Sequence, residues 1–188
     1  MEPDASQLVR AFRSGDRAAA VQLIELFYGR VYNFLRRLTA NEPDAEDLTQ
    51  QTFVRVWERI DSFAERSSIS SWIHGIAYHV YVDWRRRSGH TETRSNEWWE
   101  AHASSGPQPD EMTAGTDMRA AVFGHVEDLE PDVRAAVHCH YYQDLTLQET
   151  ADALGIATST VKYRLKQALG ELQRKLGTDK FLATERYR

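Results

Sequence analysis

Lys162, Arg164, Lys166, Arg174 and Lys175 fall on one short C-terminal stretch that carries a single acid, Glu171. Cations at this density hold phosphate oxygens. These residue types offer binding rather than bond-breaking. The elements that would present them are legible nearby. Thr146-Leu147-Gln148-Glu149 has the spacing of a capping box, a hydroxyl at the helix start and a Glu three residues on. A short helix follows, with Leu147, Thr150, Ala151 and Leu154 on one side. Gly155 tolerates positive φ at a tight turn, and Thr158 or Ser159 caps a second helix to about Leu176. Ala151, Gly155 and Val161 hold the small, turn and inward β-branched positions of a helix-turn-helix. Such a second helix enters a major groove by its N-terminus. The alternative is a helical hairpin with a solvated basic face.

His138-Cys139-His140 with nearby His125 is conspicuous, but residues two apart on a helix do not share a face. No second Cys or spaced His pair completes a tetrahedral metal site, so helix packing of Cys139 is expected and no metal or other cofactor. His74 and His79 have no paired nucleophile, and the chain has no phosphate-binding glycine loop. An enzyme is therefore not expected.

The sequence reads as all-α, two small helical domains joined by a flexible acidic linker, the C-terminal one containing the helix-turn-helix. A helix over Ala5 to Ser14 stops at Gly15. Asp16 caps a long helix to about Leu38, with Val21, Ile24, Phe27 or Tyr28, Val31, Phe34 or Leu35, and Leu38 inward. After Asn41-Glu42-Pro43-Asp44, a helix over Ala45 to Ile60 faces inward with Ala45, Leu48, Thr52, Val56 and Ile60, Phe53 and Trp57 alongside. A polar loop, Asp61 to Ile69, precedes a helix from Ser70 to Arg87. Residues 88–116 are rich in Gly, Ser, Pro and acids and read as the linker. Trp98-Trp99 within it suits packing back on a domain or docking on a partner. One helix to about Asp128 and another from Pro131 to about Tyr142 lead into the helix-turn-helix. The expected boundaries are 1–90 and 117–178 for the domains, 91–116 for the linker and 179–188 for a tail.

The net charge is −5, which looks wrong for a nucleic-acid binder until it is mapped. Residues 1–95 hold 13 basic and 13 acidic side chains, and residues 119–188 hold 10 of each. Residues 96–118 hold no base and 5 acids, so the whole excess lies in the middle segment. Each flanking half is neutral, and its cations can act locally. No apolar run reaches membrane-spanning length, no export signal opens the chain, and one cysteine suits a reducing compartment, so a cytoplasmic location is expected.

The N-terminal half narrows the function. Asp44-Ala45-Glu46-Asp47-Leu48-Thr49-Gln50-Gln51-Thr52-Phe53 is an acidic helix start. After a polar loop come Ser71-Trp72-Ile73-His74-Gly75-Ile76-Ala77 and then Asp83-Trp84-Arg85-Arg86-Arg87. With the acidic linker and the terminal helix-turn-helix, the chain resembles RNA polymerase sigma factors of the extracytoplasmic-function class, within the sigma-70 family, over nearly its full length. The resemblance implies a non-catalytic subunit that binds core RNA polymerase and directs initiation at promoter DNA, with an anti-sigma factor as its regulator. Asp44, Glu46, Asp47, Gln50 and Gln51 match the surface that grips the clamp helices of the polymerase's largest subunit. Service to the helix dipole is the plainer role for these acids.

By the same resemblance, Ser62, Phe63, Arg66, Ser67 and Ser68 belong to a loop that captures a flipped base of the −10 element, and a solvated connector is the alternative. Arg85, Arg86 and Arg87 would hold phosphates, although a helix C-terminus favours cations regardless. Trp72 and Trp84 are spaced for the core. Ser159, Thr160, Lys162 and Tyr163 would lie near −35 base edges, and Arg164, Lys166 and Arg174 on the backbone. The family commonly has a small residue where this chain has Tyr163, which bears on its −35 preference.

A helix-turn-helix regulator that binds operators without polymerase is the alternative function, but it leaves the 44–53 motif and the triple-Arg helix unexplained. The acidic linker would cover basic surfaces of its own chain or follow a basic channel in the polymerase. Neutralising Glu97, Glu100, Asp110, Glu111 and Asp117 together is expected to change core affinity or initiation, and wild-type values in both assays would refute a role for the linker charge.

Overall fold

The computed structural model describes residues 5–88 and 122–176. Every regular element among them is helical. α1 (Ala5–Arg13) turns through Ser14 and Gly15, where φ is 92°, into α2 (Arg17–Thr39). The Asp16 carboxylate accepts hydrogen bonds from the Ala18 and Ala19 amides, as its position before the helix requires. α3 (Glu42–Arg59) begins three residues earlier than expected, because Asn41 is its cap and Pro43 sits in its first turn without needing an amide donor. A 3₁₀ turn, Ile60–Ser62, closes it. α4 (Ile69–Arg87) is capped by Ser68, whose hydroxyl accepts from the Ser71 amide.

Residues 122–127 form the described part of α5. α6 (Pro131–Val137) passes into a π-helical turn, His138–Tyr142. α7 (Leu147–Leu154) has the reciprocal capping box, with Thr146 and Glu149 each satisfying the other's backbone amide. Gly155 follows in the left-handed region at φ 65°, and α8 (Thr158–Leu176) ends the described chain. Since α8 includes Thr158, neither Thr158 nor Ser159 caps it. The Thr158 hydroxyl donates instead to Gln148 Oε1 on α7.

Leu23, Phe27, Val31, Phe34, Leu35 and Leu38 of α2 pack with Ala45, Leu48 and Val56 of α3 and with Ile73, Ile76, Ala77 and Val80 of α4. Two expected core positions fall outside. Val21 is exposed and Leu23 takes its place, which shifts the buried stripe of α2. Trp57 is 47% exposed: α1 covers one side of its ring through Phe12 and nothing described covers the other. Trp72 and Trp84 pack against the core as their spacing requires.

The core does not stop at the N-terminal half. Ala135, Ala136, Cys139, Leu145, Ala153 and Leu154 of the C-terminal half belong to the same apolar cluster. α4 lies against α7, and a Cβ placed on Gly75 would sit 3.4 Å from the Ala153 Cα and carbonyl oxygen. The Ser71 hydroxyl donates to the Glu149 carbonyl at 2.8 Å. A smaller core of Val126, Leu129, Val133, Val137 and Ala168 holds α8 on α5 and α6.

Leu48 is fully buried at the centre of the larger core. Leu48→Ala is expected to cost about 2–5 kcal/mol, read as a lower urea midpoint at unchanged m-value.

Candidate nucleic-acid interface

The helix-turn-helix is assembled as the spacing demands. Ala151 and Val161 are buried between its helices, and the φ of Gly155 sets their crossing. Ser159, Lys162 and Tyr163 are exposed at the start of α8, and Thr160 is half-buried beside them. Tyr163 is 68% exposed and offers both a ring face and a hydroxyl. Lys166 and Arg174 are exposed further along α8, Arg174 donating to the Gly170 carbonyl at 3.3 Å.

Arg164 departs from this pattern. α8 turns Leu165 and Ala168 into the core, and that rotation carries Arg164 over the start of α6. Its Nη2 lies 2.9 Å from Asp132 Oδ2 and its side chain is 17% exposed. It does not offer itself to DNA phosphates in this arrangement. Arg85 of α4 reaches the other oxygen of the same carboxylate, Nη1 to Oδ1 at 3.6 Å, and the Tyr78 hydroxyl donates to that oxygen at 3.3 Å. Burial, then the Asp132 charge, pushes the Tyr78 hydroxyl up to about 12. Arg86 and Arg87 stay exposed, Arg87 donating to the Asp83 carbonyl. Among the described residues, Arg85 alone of the three arginines that end α4 is drawn into an ion pair with the C-terminal half.

On α3, Glu46, Asp47 and Gln50 are exposed, and Asp44 and Gln51 are half-buried. Gln51 donates to Asp47 at 2.7 Å, one turn back. The acids and amides form one ridge, continued by exposed Val54.

The loop after α3 is more structured than a polar connector. Phe63 is 6% exposed and packs on Trp72, so its ring is closed to an incoming base here. Ser68 serves as the α4 cap, and Ser62 donates to the Arg59 carbonyl. Arg66 and Ser62 are exposed and Ser67 is half-buried. Arg13 of α1 holds the loop from outside. It donates to the carbonyls of Ile60 and Phe63 and pairs with Glu65, whose φ of 55° is left-handed. No local signal marks Arg13 for this task, because its partners lie about 50 residues away. Asp132 was missed for the same reason.

The sequence matches the family description Sigma-70 region 2 over residues 23–91 and Sigma-70, region 4 over residues 126–174, together more than half of the chain. The chain belongs to the sigma-70 family, in the extracytoplasmic-function class. It is 29% identical over 164 residues to ECF RNA polymerase sigma factor SigE of Mycolicibacterium smegmatis, covering 85% of this chain and 63% of that one. It is 23% identical over 184 residues to ECF RNA polymerase sigma factor SigW of Bacillus subtilis, covering 94% and 98%. Two solved structures share the fold at TM-score 0.63. CnrH in complex with the cytosolic domain of CnrY is 21% identical, covering 93% of this chain and 96% of that one. The sigma factor RpoE in complex with the anti-sigma factor NepR, from Bartonella quintana, is 23% identical, covering 84% and 96%. As a sigma factor, the chain acts in promoter-directed initiation by RNA polymerase. Among the described residues, no helix is long and apolar enough to cross a membrane.

Three of the described histidines, His74, His138 and His140, are held by burial or by backbone hydrogen bonds. His138 is fully buried beside Glu127, Cys139 lies in the main core, and His140 donates from Nδ1 to the Leu145 carbonyl. Burial pushes the Cys139 thiol up to about 12. Burial also drives up the Glu127 carboxyl, but His138, Arg134 and Arg37 outweigh it and hold it below the usual range. His74 is fully buried with Nδ1 2.8 Å from the Ser70 carbonyl, and burial pushes its imidazole down to about 4. His138 is lowered too, first by burial.

A histidine held neutral in the fold takes up a proton more readily when unfolded. His74 therefore leaves stability intact above its ordinary pKa of 6.5 and removes it as pH falls toward about 4. The expected slope is about 1.4 kcal/mol per pH unit for each such histidine. Urea unfolding at about pH 7.5 and about pH 5 should show this loss, and His74→Gln should reduce the dependence by one proton.

Proposed function

We propose that this sigma factor divides its work between a core-binding, −10-reading domain over residues 1–90 and a −35-reading domain over residues 117–178. In this reading Asp44, Glu46, Asp47, Gln50 and Gln51 grip a basic helical surface of the polymerase through charge-assisted hydrogen bonds. The exposed ridge they form on α3 supports this. Ser62, Arg66 and Ser67 bound the pocket for an extruded −10 base, on a loop that Arg13 holds in shape. Phe63 and Ser68 support that loop from beneath in the form described. Arg85, Arg86 and Arg87 follow the phosphates at the edge of the melted region.

Ser159, Thr160, Lys162 and Tyr163 read the −35 element by the N-terminal end of α8, with Lys166, Arg174 and a released Arg164 on the backbone. The observation that carries the reading is the succession of two sigma-70 regions in one chain, the second presenting an exposed readout edge.

The chain supplies no covalent chemistry in this account; the polymerase does. It works in the cytoplasm, where core enzyme and chromosome are, and an anti-sigma protein is its regulator. The complex of RpoE with the anti-sigma factor NepR supports that partner class. An operator-binding regulator would bind its site alone, whereas this chain is expected to give promoter-specific transcripts only with core polymerase. In vitro transcription on a genomic fragment library tests this, and the absence of specific transcripts would refute it. The triple variant Glu46→Lys, Asp47→Lys, Gln50→Ala should weaken core binding at least about 10-fold, since it reverses the charge of an exposed contact, with the thermal unfolding midpoint unchanged.

A further inference from the structure

Arg13 ends α1, ahead of residues 23–91 that match Sigma-70 region 2, and reaches into that domain from outside the matched span. Its guanidinium meets three acceptors on the loop after α3. Nε donates to the Ile60 carbonyl at 3.1 Å, Nη2 to the Phe63 carbonyl, and Nη1 to Glu65 Oε1 at 2.9 Å. The guanidinium carbon also stands 5.7 Å from the centre of the Phe63 ring.

Two of these acceptors are backbone groups where a helix ends. The 3₁₀ turn Ile60–Ser62 closes α3, and such an end leaves carbonyls in need of donors and a negative dipole end that favours a cation. The Ile60 carbonyl already takes the Phe63 amide and has a second lone pair for Arg13. The Glu65 side chain is 57% exposed, so water and salt weaken that ion pair, and the part-buried carbonyl bonds carry more of the restraint. Glu65 itself sits at φ 55°, a region that residues with a Cβ rarely adopt and hold only when their surroundings fix them. Phe63 is fixed on Trp72 and Ser68 caps α4, so Arg13 supplies the restraint between these two anchors and α3. Its mount is firm: Leu8, Val9 and Phe12 of α1 are buried, and the Phe12 ring centre lies 4.8 Å from that of Trp57.

We propose that Arg13 is a positioning residue for −10 recognition: its fork fixes the backbone of residues 60–65, and that backbone aims Ser62, Arg66 and Ser67 at the extruded base. The proposal rests on the −10 reading of this loop given above and adds how the loop holds its shape. Arg13 itself touches no DNA in this account. A loop shaped before DNA arrives loses less freedom on capture, and a base that fits it gains over one that does not. An unrestrained loop adapts to several bases, so discrimination falls before overall affinity does. Lysine does not substitute, because an ammonium on a flexible stem lacks the planar fork that spans the three acceptors.

The test uses holoenzyme made from core polymerase and the full chain. It selects from short single-stranded DNA randomised at every position, and the bound strands are sequenced. Arg66→Ala serves as the reference, and the position whose base preference it flattens marks the captured base. Arg13→Gln and Arg13→Lys should each flatten preference at that same position by about 10-fold, the discrimination one base contact carries. Preferences elsewhere, core affinity and helicity by circular dichroism should match wild type. A purely structural role would lower binding of all strands alike and leave the preference in place.

A wild-type preference at the captured position in folded Arg13→Lys overturns the proposal, since charge without the fork would then suffice. Uniformly weaker binding with the preference kept overturns it as well. If Arg13→Gln loses helicity, Arg13→Lys decides by the same criterion, and loss of helicity in both assigns Arg13 to the fold alone and overturns the proposal. Arg66→Ala separates the two claims. A flattened position there with wild-type preference in both Arg13 variants sinks the positioning role and leaves the loop reading standing. If Arg66→Ala flattens no position, the loop reading falls and the positioning role falls with it.

Discussion

Helix α4 is enclosed on most of its circumference, and the rest of the structure depends on that enclosure. α2 and α3 pack along its N-terminal-half face through Ile73, Ala77 and Val80, while α7 crosses its opposite side at Gly75. Residues with no side chain, or a single methyl, at the crossing bring two backbones close enough for extensive dispersion contact. Ser71 then closes a hydrogen bond to the Glu149 carbonyl, which a wider separation would leave unmade. The helix that ends in Arg85, Arg86 and Arg87 is therefore also the helix that joins the two halves.

Electrostatics follow from this packing. Placing α6 beside α4 brings Asp132 between Arg85 and Arg164, and placing α5 beside α2 brings Glu127 under Arg37. The two sites differ in depth. Glu127 is nearly buried among His138, Arg134 and Arg37, and an unpaired carboxylate there would be strongly penalised. Asp132 and Arg85 are each about a third exposed, so water and salt compete for that pair.

Much of the fold was legible from local signals. Asp16 and Thr146 cap the helices they precede, Gly155 makes the turn, and the α3 stripe of Ala45, Leu48, Thr52 and Val56 is buried as its spacing demands. Each of these depends on groups within a few residues of one another, where backbone geometry alone dictates the outcome. Val21 and Trp57 were misplaced because periodicity identifies a face but not its edge. Where that edge falls depends on which neighbouring helix covers it. The site was partly legible for the same reason: Ser159, Lys162 and Tyr163 are exposed by the phase of α8, but the commitment of Arg164 to Asp132 depends on α6.

The sequence by itself determined helix starts and stops, the capping box, the glycine turn, the order of two sigma-70 regions and the location of the net charge in residues 96–118. These are encoded by residues close in the chain, or by motifs whose order survives any arrangement of the parts. Tertiary structure alone decided that Phe63 is core, that Arg13 shapes the loop after α3, and that Asp132 faces arginines from both halves. Those outcomes join groups far apart in sequence. They depend on how two helical surfaces meet, and no local propensity carries that information.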